Sequence, residues 1–454
     1  MKIKIPASAK SVLDILHAKG HEAYIVGGCV RDFILGRNPD DWDMTTSASP
    51  EEVKEIFRRT VDTGLAHGTV TVLIGGHSYE VTSYRTGEKP SKAGNESKES
   101  RKADANQVVT LAEDLLHRDF TMNAMAYNEE EGLIDLYGGM QDLQQKVIRG
   151  TGDAAARFRE DPLRMLRAVR FAAQLGFAID PAAKEAIKAQ AEDLTGVSAE
   201  RICTELTKLL CSPHPEMLVK AYELGLTKIF LPEFDLMMET EQVNPHHCFS
   251  VGMHTIGVVE HVPEDRILRY AAFFHDIAKP DVKWTDETGK DHFAGHDEVG
   301  KKKAVKIMRR LRMDRSSMDR IRDLVAYHDW FFKAEPAVVR KAVSVVGVDL
   351  FPYLLQLQYA DVLAQSQYKK EEKLQRVMDA YKLYEQILIE KPCLTVKELA
   401  VTGKDLMEAG VAKGPALGAM LQKLLDLVLE EPSRNTREEL LSQLNGISEQ
   451  VISE

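Results

Sequence analysis

The sequence predicts an α+β protein in which a mixed α/β head precedes a series of all-α regions. Two observations indicate the head: an apolar strand at residues 23–26, and a hairpin over residues 68–84 turned by Gly75-Gly76-His77. A third indicates the helical regions, because residues 200–210, 215–224 and 370–390 carry the amphipathic spacing of packed helices. At 454 residues the chain is too long for one core, so we expect three or four units.

Composition and charge restrict the class of protein. The hydrophobic fraction of 44% and the charged fraction of 28% are typical of a soluble globular protein. With no apolar run of membrane-spanning length and no signal peptide, we expect a cytoplasmic protein without a membrane partner. Five scattered cysteines without C-x-x-C spacing predict free thiols. A net charge of −11 argues against broad, charge-driven nucleic-acid binding, so RNA contact needs a local basic surface. The basic run at residues 300–315 is either such a surface or a solvated helix face.

The stretch Asp41-Trp42-Asp43 offers two carboxylates at strand spacing. Residues two apart on a strand share a face, so we expect Asp41 and Asp43 side by side while Trp42 turns into the core. Paired oxygen ligands are what Mg²⁺ on a nucleoside triphosphate requires. An ordinary strand-to-helix turn is the alternative.

A glycine turn precedes this acidic pair. Gly27 and Gly28 allow the backbone to approach a phosphate closely, and the helix expected after them aims its N-terminus and Arg31 at the same anion. The two stretches together therefore predict a site for a metal-bound triphosphate.

The joint spacing resembles the signature of class II tRNA CCA-adding enzymes and bacterial poly(A) polymerases, in which a GG-x-VRD turn precedes a D-x-D metal pair. The resemblance implies a nucleotidyltransferase head over residues 1–150, with Mg²⁺ on Asp41 and Asp43. It also suggests Glu80, on the second strand of the hairpin, as a third carboxylate. An exposed or salt-bridged glutamate is the alternative for Glu80.

A second string, from Arg118 to Ala124, resembles the family's R-R-D-F-T-x-N-A motif with His117 in the first position. The resemblance implies that Arg118 and Asp119 hold the ribose and the phosphates. A carboxylate accepts hydrogen bonds from sugar hydroxyls, and a guanidinium donates two parallel hydrogen bonds to an oxyanion. A surface ion pair at a helix start is the alternative.

A third string opens the predicted neck, residues 151–235. Asp161 before Pro162 is a good helix start, and Asp161 and Arg164, three apart, are expected on one face as acceptor and donor for a flat partner. The string matches the family's E-D-x-x-R motif, which implies that both side chains select the incoming CTP or ATP without a template. Arg167 and Arg170 either reach phosphates or face water.

Histidines become dense in the next region, residues 236–370. An ionisable pair such as His275-Asp276 in an apolar helix needs a partner, and a metal ion supplies one. The segment resembles the HD phosphohydrolase domain attached to some bacterial CCA-adding enzymes. The resemblance implies a divalent metal of open identity, a metal-activated water and a small phosphoester substrate such as a 2′,3′-cyclic phosphate. The implied ligands are His254, His275, Asp276 and Asp361, with His296 and His328 as extra ligands of a binuclear site.

This region has an alternative first ligand and an alternative role. His246 and His247 are alternatives to His254 as first ligand, and a degenerate domain kept for packing is the alternative to an active site.

The tail, residues 371–454, looks like the helical tail that supports the tRNA acceptor end in relatives.

The predicted reaction is template-free addition of C, C and A to the 3′ end of tRNA, in which the RNA 3′-hydroxyl attacks the α-phosphate of CTP or ATP. A polar segment at residues 87–106 reads as a mobile loop, which in this family is implicated in the switch from C to A addition. It lacks the usual D-G-R-R-P-like stretch, so an A-only or CC-only tRNA nucleotidyltransferase stays open. A poly(A) polymerase also stays open, because it would keep every one of these catalytic motifs. An HD phosphatase or phosphodiesterase and a non-enzymatic RNA-binding protein are the rivals of other classes; the oligomeric state is open.

Overall fold

The computed structural model describes residues 2–39, 41–64, 68–84, 109–246 and 248–444. Asp40, His247 and the predicted loop at 87–106 lie outside these residues. The chain forms two compact units, the first made of residues 1–209 and 220–230 and the second of residues 210–219 and 231–454. The finer division into head, neck, HD region and tail stays a prediction.

A seven-stranded mixed sheet forms the centre of the first unit. Its strands are β1 (Ala23–Val26), β2 (Met44–Thr46), β3 (Thr60–Gly64), β4 (Thr69–Ile74), β5 (His77–Ser83), β6 (Met125–Asn128) and β7 (Gly132–Asp135). Their order across the sheet is β3-β4-β5-β2-β1-β6-β7. Strand β2 pairs antiparallel with β1 and parallel with β5. The predicted strand at 23–26 and the predicted hairpin, now β4 and β5, are both confirmed.

In the described part of this region, the helices that accompany the sheet are α1 (Ala7–Ala18), α2 (Gly28–Ile34), α3 (Pro50–Ile56), α4 (Leu111–Leu116) and α5 (Gly139–Gln145). A 3₁₀ turn occupies Thr121–Asn123. Ser49 and Thr110 close capping boxes that begin α3 and α4. Tyr24 and Val26 of β1 pack in one buried cluster with Leu115, Ala124 and Ala126, which brings α4 and the segment before β6 against the central strands.

The rest of the first unit is mainly helical. It contains α6 (Ala154–Glu160), α7 (Leu163–Leu175), α8 (Pro181–Gln190), a 3₁₀ helix (Ala191–Gly196), α9 (Ala199–Leu210), α10 (Met217–Glu223) and α11 (Thr227–Phe230), of which α9 and α10 cross the boundary between units. Two short strands, β8 (Val147–Ile148) and β9 (Ala178–Ile179), pair in parallel. The neck is therefore not strictly all-α, because β9 gives β8 a partner.

The second unit is built from helices. They are α12 (Pro232–Glu239), α13 (Val251–His261), α14 (Arg266–Phe274), α15 (Lys279–Val282), α16 (His296–Arg310), α17 (Arg315–Tyr327), α18 (Pro336–Val346), α19 (Phe351–Ala364), α20 (Lys370–Glu390), α21 (Gly403–Glu408), α22 (Pro415–Glu430) and α23 (Arg437–Ser442), with 3₁₀ turns at Val396–Glu398 and Pro432–Arg434. A small hairpin of β10 (Trp284–Thr285) and β11 (Asp291–His292) interrupts them, which corrects the all-α expectation for this region.

The predicted α+β class is confirmed, with a mixed sheet near the start of the chain and helices after it. Residues 370–390 form a helix with the predicted bounds. Among the helices of the described residues, none combines the length and the apolar character needed to span a bilayer.

Candidate nucleotide and metal sites

The acidic pair lies immediately before strand β2 rather than on it. β2 begins at Met44, although the Val26 N–H still donates to the Asp43 carbonyl at 2.9 Å. Asp41 and Asp43 are exposed, and Trp42 is half-buried. The expected strand position and the core position of Trp42 are therefore wrong. The physical reason lies in the partner strand. Because β1 ends at Val26 and the chain turns at Gly27, Asp41 and Trp42 have no β1 residues opposite them to pair with.

Glu80 lies level with Asp43 on the neighbouring strand. β2 and β5 run parallel with Met44 opposite Val81, so the residues just before them are also neighbours. Met44 and Val81 are both buried, whereas Asp43 and Glu80 are both exposed. Because side chains alternate along a strand, these two carboxylates share the solvent-facing side of the sheet. This arrangement is what a third carboxylate beside the acidic pair requires.

Gly27 occupies a backbone conformation that a side chain would disturb. Its φ is +82° and its ψ is −130°. A Cβ built on Gly27 would lie 3.2 Å from Nη1 of Arg118. The glycine turn and Arg118, which are distant in sequence, thus meet directly, as the combined motifs predict for a phosphate site.

Arg31 is held by its neighbours in the same place. The buried guanidinium donates to both Asp32 carboxylate oxygens at 2.9 Å and to Asn123 Oδ1 at 2.8 Å. Arg31 is thus a link between α2 and the turn that carries Asn123. Helix α2 has seven residues, and Arg31 is the fourth. Its predicted phosphate contact stays a prediction.

Asp114 joins Arg118 to the strand beside the acidic pair, a contact that sequence reasoning missed. The buried Asp114 carboxylate accepts from Arg118 Nη2 at 3.2 Å and from Thr45 Oγ1 at 3.0 Å. The spacing of Asp114 and Arg118, four residues apart at the end of α4, is the signal that could have found this pair.

Asp119 is buried and surrounded by donors. One oxygen accepts from the Phe120 N–H at 2.9 Å and Asn123 Nδ2 at 3.0 Å; the other accepts from Arg167 Nε at 2.9 Å. Burial alone would raise the pKa of the Asp119 carboxyl, but Arg167 and the hydrogen bond from Asn123 outweigh it and hold that pKa well below its usual value. The alternative of a surface ion pair does not apply to this buried group.

Arg167 and Arg170 meet on Glu205, which the sequence reading did not single out. Arg170 Nε donates to Glu205 at 2.8 Å, and Arg167 Nη1 lies 3.4 Å from the same carboxylate. The Arg170 guanidinium stacks 3.5 Å from the Phe171 ring centroid. Burial lowers the pKa of Arg170 to about 10, although Glu205 opposes this shift. The expectation that Arg170 faces water or reaches phosphate does not describe its buried position here.

Asp161 and Arg164 do not share a helical face as predicted. Helix α6 ends at Glu160 and α7 begins at Leu163, so Asp161 lies between helices with φ −146° and ψ 99°. Pro162 disfavours helical geometry at the residue before it, which explains the break. The Asp161 carboxylate accepts the Leu163 N–H at 3.3 Å, as expected for a residue that begins a helix.

Each member of this pair has a different partner. Arg201 of α9 donates to both Asp161 oxygens, at 2.7 and 3.2 Å, whereas Arg164 donates to Glu160 at 2.9 Å and to the His117 carbonyl at 2.7 Å. Arg201 is a residue that sequence reasoning missed, because nothing in its local sequence distinguishes it from other exposed helical arginines.

In the second unit, the predicted HD residues converge on one buried centre. His275 and Asp276 follow the end of α14 rather than lying inside it, and both are 1% exposed. His254 Nε2 of α13 lies 3.0 Å from Asp361 Oδ1 of α19 and 3.7 Å from Asp276 Oδ2. His275 Nε2 lies 3.1 Å from the same Asp276 oxygen. His254, His275 and Asp276, here the first metal group, place their ligand atoms within 4.8 Å of one another.

A second metal group shares Asp276 and adds His296 and His328. Their Nε2 atoms lie 3.4 and 3.8 Å from Asp276 Oδ1 and 3.1 Å from each other. Asp276 thus has one oxygen facing each group, which is the geometry of a carboxylate shared by two ions.

The histidine rings are oriented by backbone contacts. Nδ1 of His275, His296 and His328 lies 2.7 to 2.9 Å from a carbonyl oxygen three residues earlier in each case. A ring that donates from Nδ1 leaves Nε2 as the lone-pair atom, which is how metal-binding imidazoles are held. The imidazole and carboxylate donor set fits transition metals such as Zn²⁺, Mn²⁺ or Fe²⁺.

The alternatives for the first ligand separate clearly. His254 belongs to the first metal group, whereas His246 belongs to neither group and has its Nδ1 2.9 Å from Lys373 Nζ. His247 lies outside the described residues.

Burial opposes a charged Asp276, but His275 and Lys279 hold its pKa well below the usual value, so the carboxylate is ionised.

Comparison with known proteins covers nearly the whole chain. Residues 23–149 match the poly A polymerase head domain, residues 176–238 the probable RNA and SrmB-binding site of polymerase A, and residues 297–444 the tRNA nucleotidyltransferase domain 2 family. The CCA-adding enzyme of Anoxybacillus flavithermus is 33% identical over 433 residues, which cover 95% of each chain. The CCA-adding enzyme of Levilactobacillus brevis is 34% identical over 92% of this chain and 91% of its own.

The chain belongs to the CCA-adding enzyme family.

Solved structures agree with this assignment. The Bacillus stearothermophilus CCA-adding enzyme in complex with CTP superimposes with a TM-score of 0.73 at 27% identity, over 99% of this chain and 100% of that one. The Thermotoga maritima CCA-adding enzyme complexed with tRNA shares the fold, with a TM-score of 0.56 at 22% identity over 97% of this chain and 94% of that one. The predicted family and the tRNA nucleotidyltransferase class of enzyme are confirmed, and nucleotidyltransferases of this family use divalent metal ions.

The HD assignment has a different status. Residues 239–296, which carry four of its predicted ligands, fall between the second and third matched ranges. The HD domain of this chain therefore stays a prediction, and the geometry of the two metal groups is its support.

Proposed function

We propose that this protein adds C, C and A to the 3′ end of tRNA from CTP and ATP without a nucleic-acid template. One observation supports the proposal: Asp43, just before β2, is level with Glu80 of the neighbouring β5, and β1, the other neighbour of β2, leads into the Gly27 turn, where an added Cβ would lie 3.2 Å from Arg118. Asp41 and Asp43, with Glu80, would hold Mg²⁺, since all three offer only oxygen donors. The bound metal would activate the RNA 3′-hydroxyl and stabilise charge on the α-phosphate and on the leaving pyrophosphate.

The chain's own residues provide the binding part of this reaction. Arg118, fixed by the buried Asp114, presents its guanidinium beside the glycine turn, where triphosphate oxygens would lie. Asp119, ionised and held by Arg167, would accept from a ribose hydroxyl in exchange for one of its present donors, because each of its oxygens already lies near two nitrogens. Asp161 and Arg164 are the candidates for selection of the base.

The test uses tRNA transcripts that end before CCA, supplied with CTP and ATP separately and together. The expected products gain two nucleotides with CTP alone and three with both. A single added A on tRNA ending in CC, with no use of CTP, would assign an A-only enzyme. Arrest after CC with both nucleotides would assign a CC-only enzyme, and a long A tail would assign a poly(A) polymerase.

The two metal groups support a second activity, metal-dependent hydrolysis of a phosphoester. The supporting observation is that His254, His275, Asp276, His296 and His328, from separate segments of the second unit, converge with their Nε2 and carboxylate atoms inward. Phosphate release that needs an added divalent metal, that His275→Ala removes and that Asp41→Ala spares is the expected result. Release that persists in His275→Ala would contradict the assignment.

A further inference from the structure

The two candidates for base selection carry opposite charges but do not pair with each other. The Asp161 side chain accepts the Leu163 N–H at the start of α7, and Arg164 follows three residues after Asp161. A side chain at that position can reach back to the residue that caps the helix. Although both residues are described, the ion pair of each one is with a different partner, Arg201 for Asp161 and Glu160 for Arg164.

Arg201 of helix α9 occupies most of the Asp161 carboxylate. Its Nη1 donates to Oδ1 at 3.2 Å and its Nη2 donates to Oδ2 at 2.7 Å, which is a two-point contact. The Leu163 N–H donates to Oδ1 at 3.3 Å. A carboxylate has about four acceptor sites, two on each oxygen. The contacts with Arg201 and Leu163 therefore fill Oδ1 and leave one site on Oδ2.

Arg164 has acceptors of its own. Its Nη1 donates to Glu160 at 2.9 Å and to the Arg157 carbonyl at 3.2 Å, and its Nη2 donates to the His117 carbonyl at 2.7 Å. A guanidinium carries N–H groups on Nε as well as on both Nη atoms, so Nε and one N–H of Nη2 remain for a ligand.

The remaining sites match one kind of base edge. Asp161 keeps an acceptor and Arg164 keeps donors, so the pair suits a base that offers an N–H beside an acceptor. Cytosine and adenine each carry an exocyclic amino group, whereas guanine and uracil carry a carbonyl oxygen at the corresponding position. This match lasts only while Asp161 and Arg164 stay apart, because a direct ion pair between them would use the same groups.

We propose that Arg201 is a positioning residue for base selection. It holds the Asp161 carboxylate away from Arg164 and leaves one acceptor site for the exocyclic amino group of CTP or ATP. The inference rests on the proposed nucleotidyltransferase function and adds a residue to that site. Without Arg201, the carboxylate turns to Arg164, and the base loses an acceptor and a donor together.

The test compares single-nucleotide incorporation by the full chain into tRNA transcripts that end before CCA. Arg201→Gln should raise the KM for CTP and ATP about tenfold and lower their preference over UTP and GTP about tenfold. The kcat for CTP and the affinity for tRNA should stay within about twofold, because the metal ligands and the RNA contacts are untouched. The free energy of unfolding should change little, since the side chains of Arg201 and Asp161 are 52% and 29% exposed.

Two further variants provide the conservative replacement and the control. Arg201→Lys should restore only part of the selectivity, because an ammonium group cannot make the two-point contact. Lys208→Gln removes an exposed cation two turns further along α9 and should change neither KM nor selectivity.

A double variant shows whether Arg201 acts through Asp161. If it does, Arg201→Gln combined with Asp161→Asn should lose no more selectivity than Asp161→Asn alone, about tenfold. A loss of about a hundredfold would mean that Arg201 acts independently of Asp161, and would overturn the positioning role.

The remaining outcomes separate this inference from the proposed function. Unchanged KM and selectivity in Arg201→Gln, when Asp161→Asn has lost selectivity, would overturn the role of Arg201 and leave base selection by Asp161 in place. A lower KM in Arg201→Gln would make Arg201 a competitor of the base and also overturn the positioning role. Wild-type protein that adds none of the four nucleotides would overturn the proposed function and this inference with it.

Discussion

Arg167 of helix α7 approaches one oxygen of the Asp119 carboxylate with two nitrogens, Nε at 2.9 Å and Nη2 at 2.7 Å. The two residues come from different motifs. Asp119 belongs to the string expected to hold the sugar and phosphates, and Arg167 lies beside Asp161 and Arg164, the candidates for base selection. This contact links the two motifs, so the position of one part of the candidate nucleotide site depends on the other.

Asp119→Asn should destabilise the first unit by about 3 kcal/mol, the usual cost of removing one partner of a buried ion pair. The measurement is urea unfolding followed by Trp42 fluorescence in a protein whose other two tryptophans, Trp284 and Trp330, are replaced by Phe. The pKa of Asp119 is lowered in the folded state, so its contribution is present above the unfolded-state pKa of about 3.9 and is lost as pH falls towards the folded-state pKa. The stability difference between wild type and variant should be constant at neutral pH and shrink below about pH 4. A difference that grows on acidification would contradict this account.

Asp43→Asn should reduce nucleotide incorporation at least about 100-fold while tRNA binding persists, because a metal ligand is lost but the RNA contacts remain. Primer extension and filter binding measure the two properties. Asp14→Asn, an exposed acid of helix α1, is the matched control and should keep full activity. Substantial incorporation by Asp43→Asn would remove Asp43 from the metal site.

Gly27→Ala should raise the KM for CTP and ATP, because its Cβ would displace the Arg118 guanidinium. Gly36→Ala is the matched control, since Gly36 has a φ of +70° but open space around its Cβ. Both substitutions should cost roughly 1 to 3 kcal/mol in backbone strain, and only the first should change KM. Equal KM values in the two variants would show that Arg118 does not contact the nucleotide.

Asp161→Asn should lower discrimination among CTP, ATP, UTP and GTP about tenfold, because one acceptor of the proposed base contact becomes a donor. Stability should change by less than about 1 kcal/mol, since the Asp161–Arg201 pair is largely solvated. Arg201→Gln removes the same ion pair and keeps the Asp161 carboxylate. Loss of selection in Arg201→Gln but not in Asp161→Asn would transfer the selector role to Arg201.

His275→Ala should lose at least one tightly bound divalent metal, measured by elemental analysis after dialysis, and should retain tRNA extension. His292→Gln is the control, because His292 lines the cavity that His296 and His328 also line, but it bonds Asp286 and belongs to neither metal group. Equal metal content in wild type and His275→Ala would contradict the first metal group as a ligand set.

Sequence alone determined the family, the class of fold, the glycine turn and the identity of the candidate metal ligands. These are properties of short strings or of periodicity, and residue types such as paired aspartates or a histidine next to an aspartate carry their chemistry locally. The hairpin of β4 and β5 and helix α20 were equally accessible, because turn glycines and amphipathic spacing are local signals.

Tertiary structure alone decided which charged groups meet. Asp114 with Thr45, Arg170 with Glu205 and Asp161 with Arg201 are contacts between segments distant in sequence, and a charged side chain gives no local sign of the partner it will find. Two of the corrections have different causes. Asp41 and Trp42 lie outside the strand because β1 ended, which only the fold decides, whereas Asp161 lies outside the helix because Pro162 follows it, which is a local signal in the sequence. Burial, which only the folded chain sets, then determined which of these groups became ionised links and which stayed open to solvent.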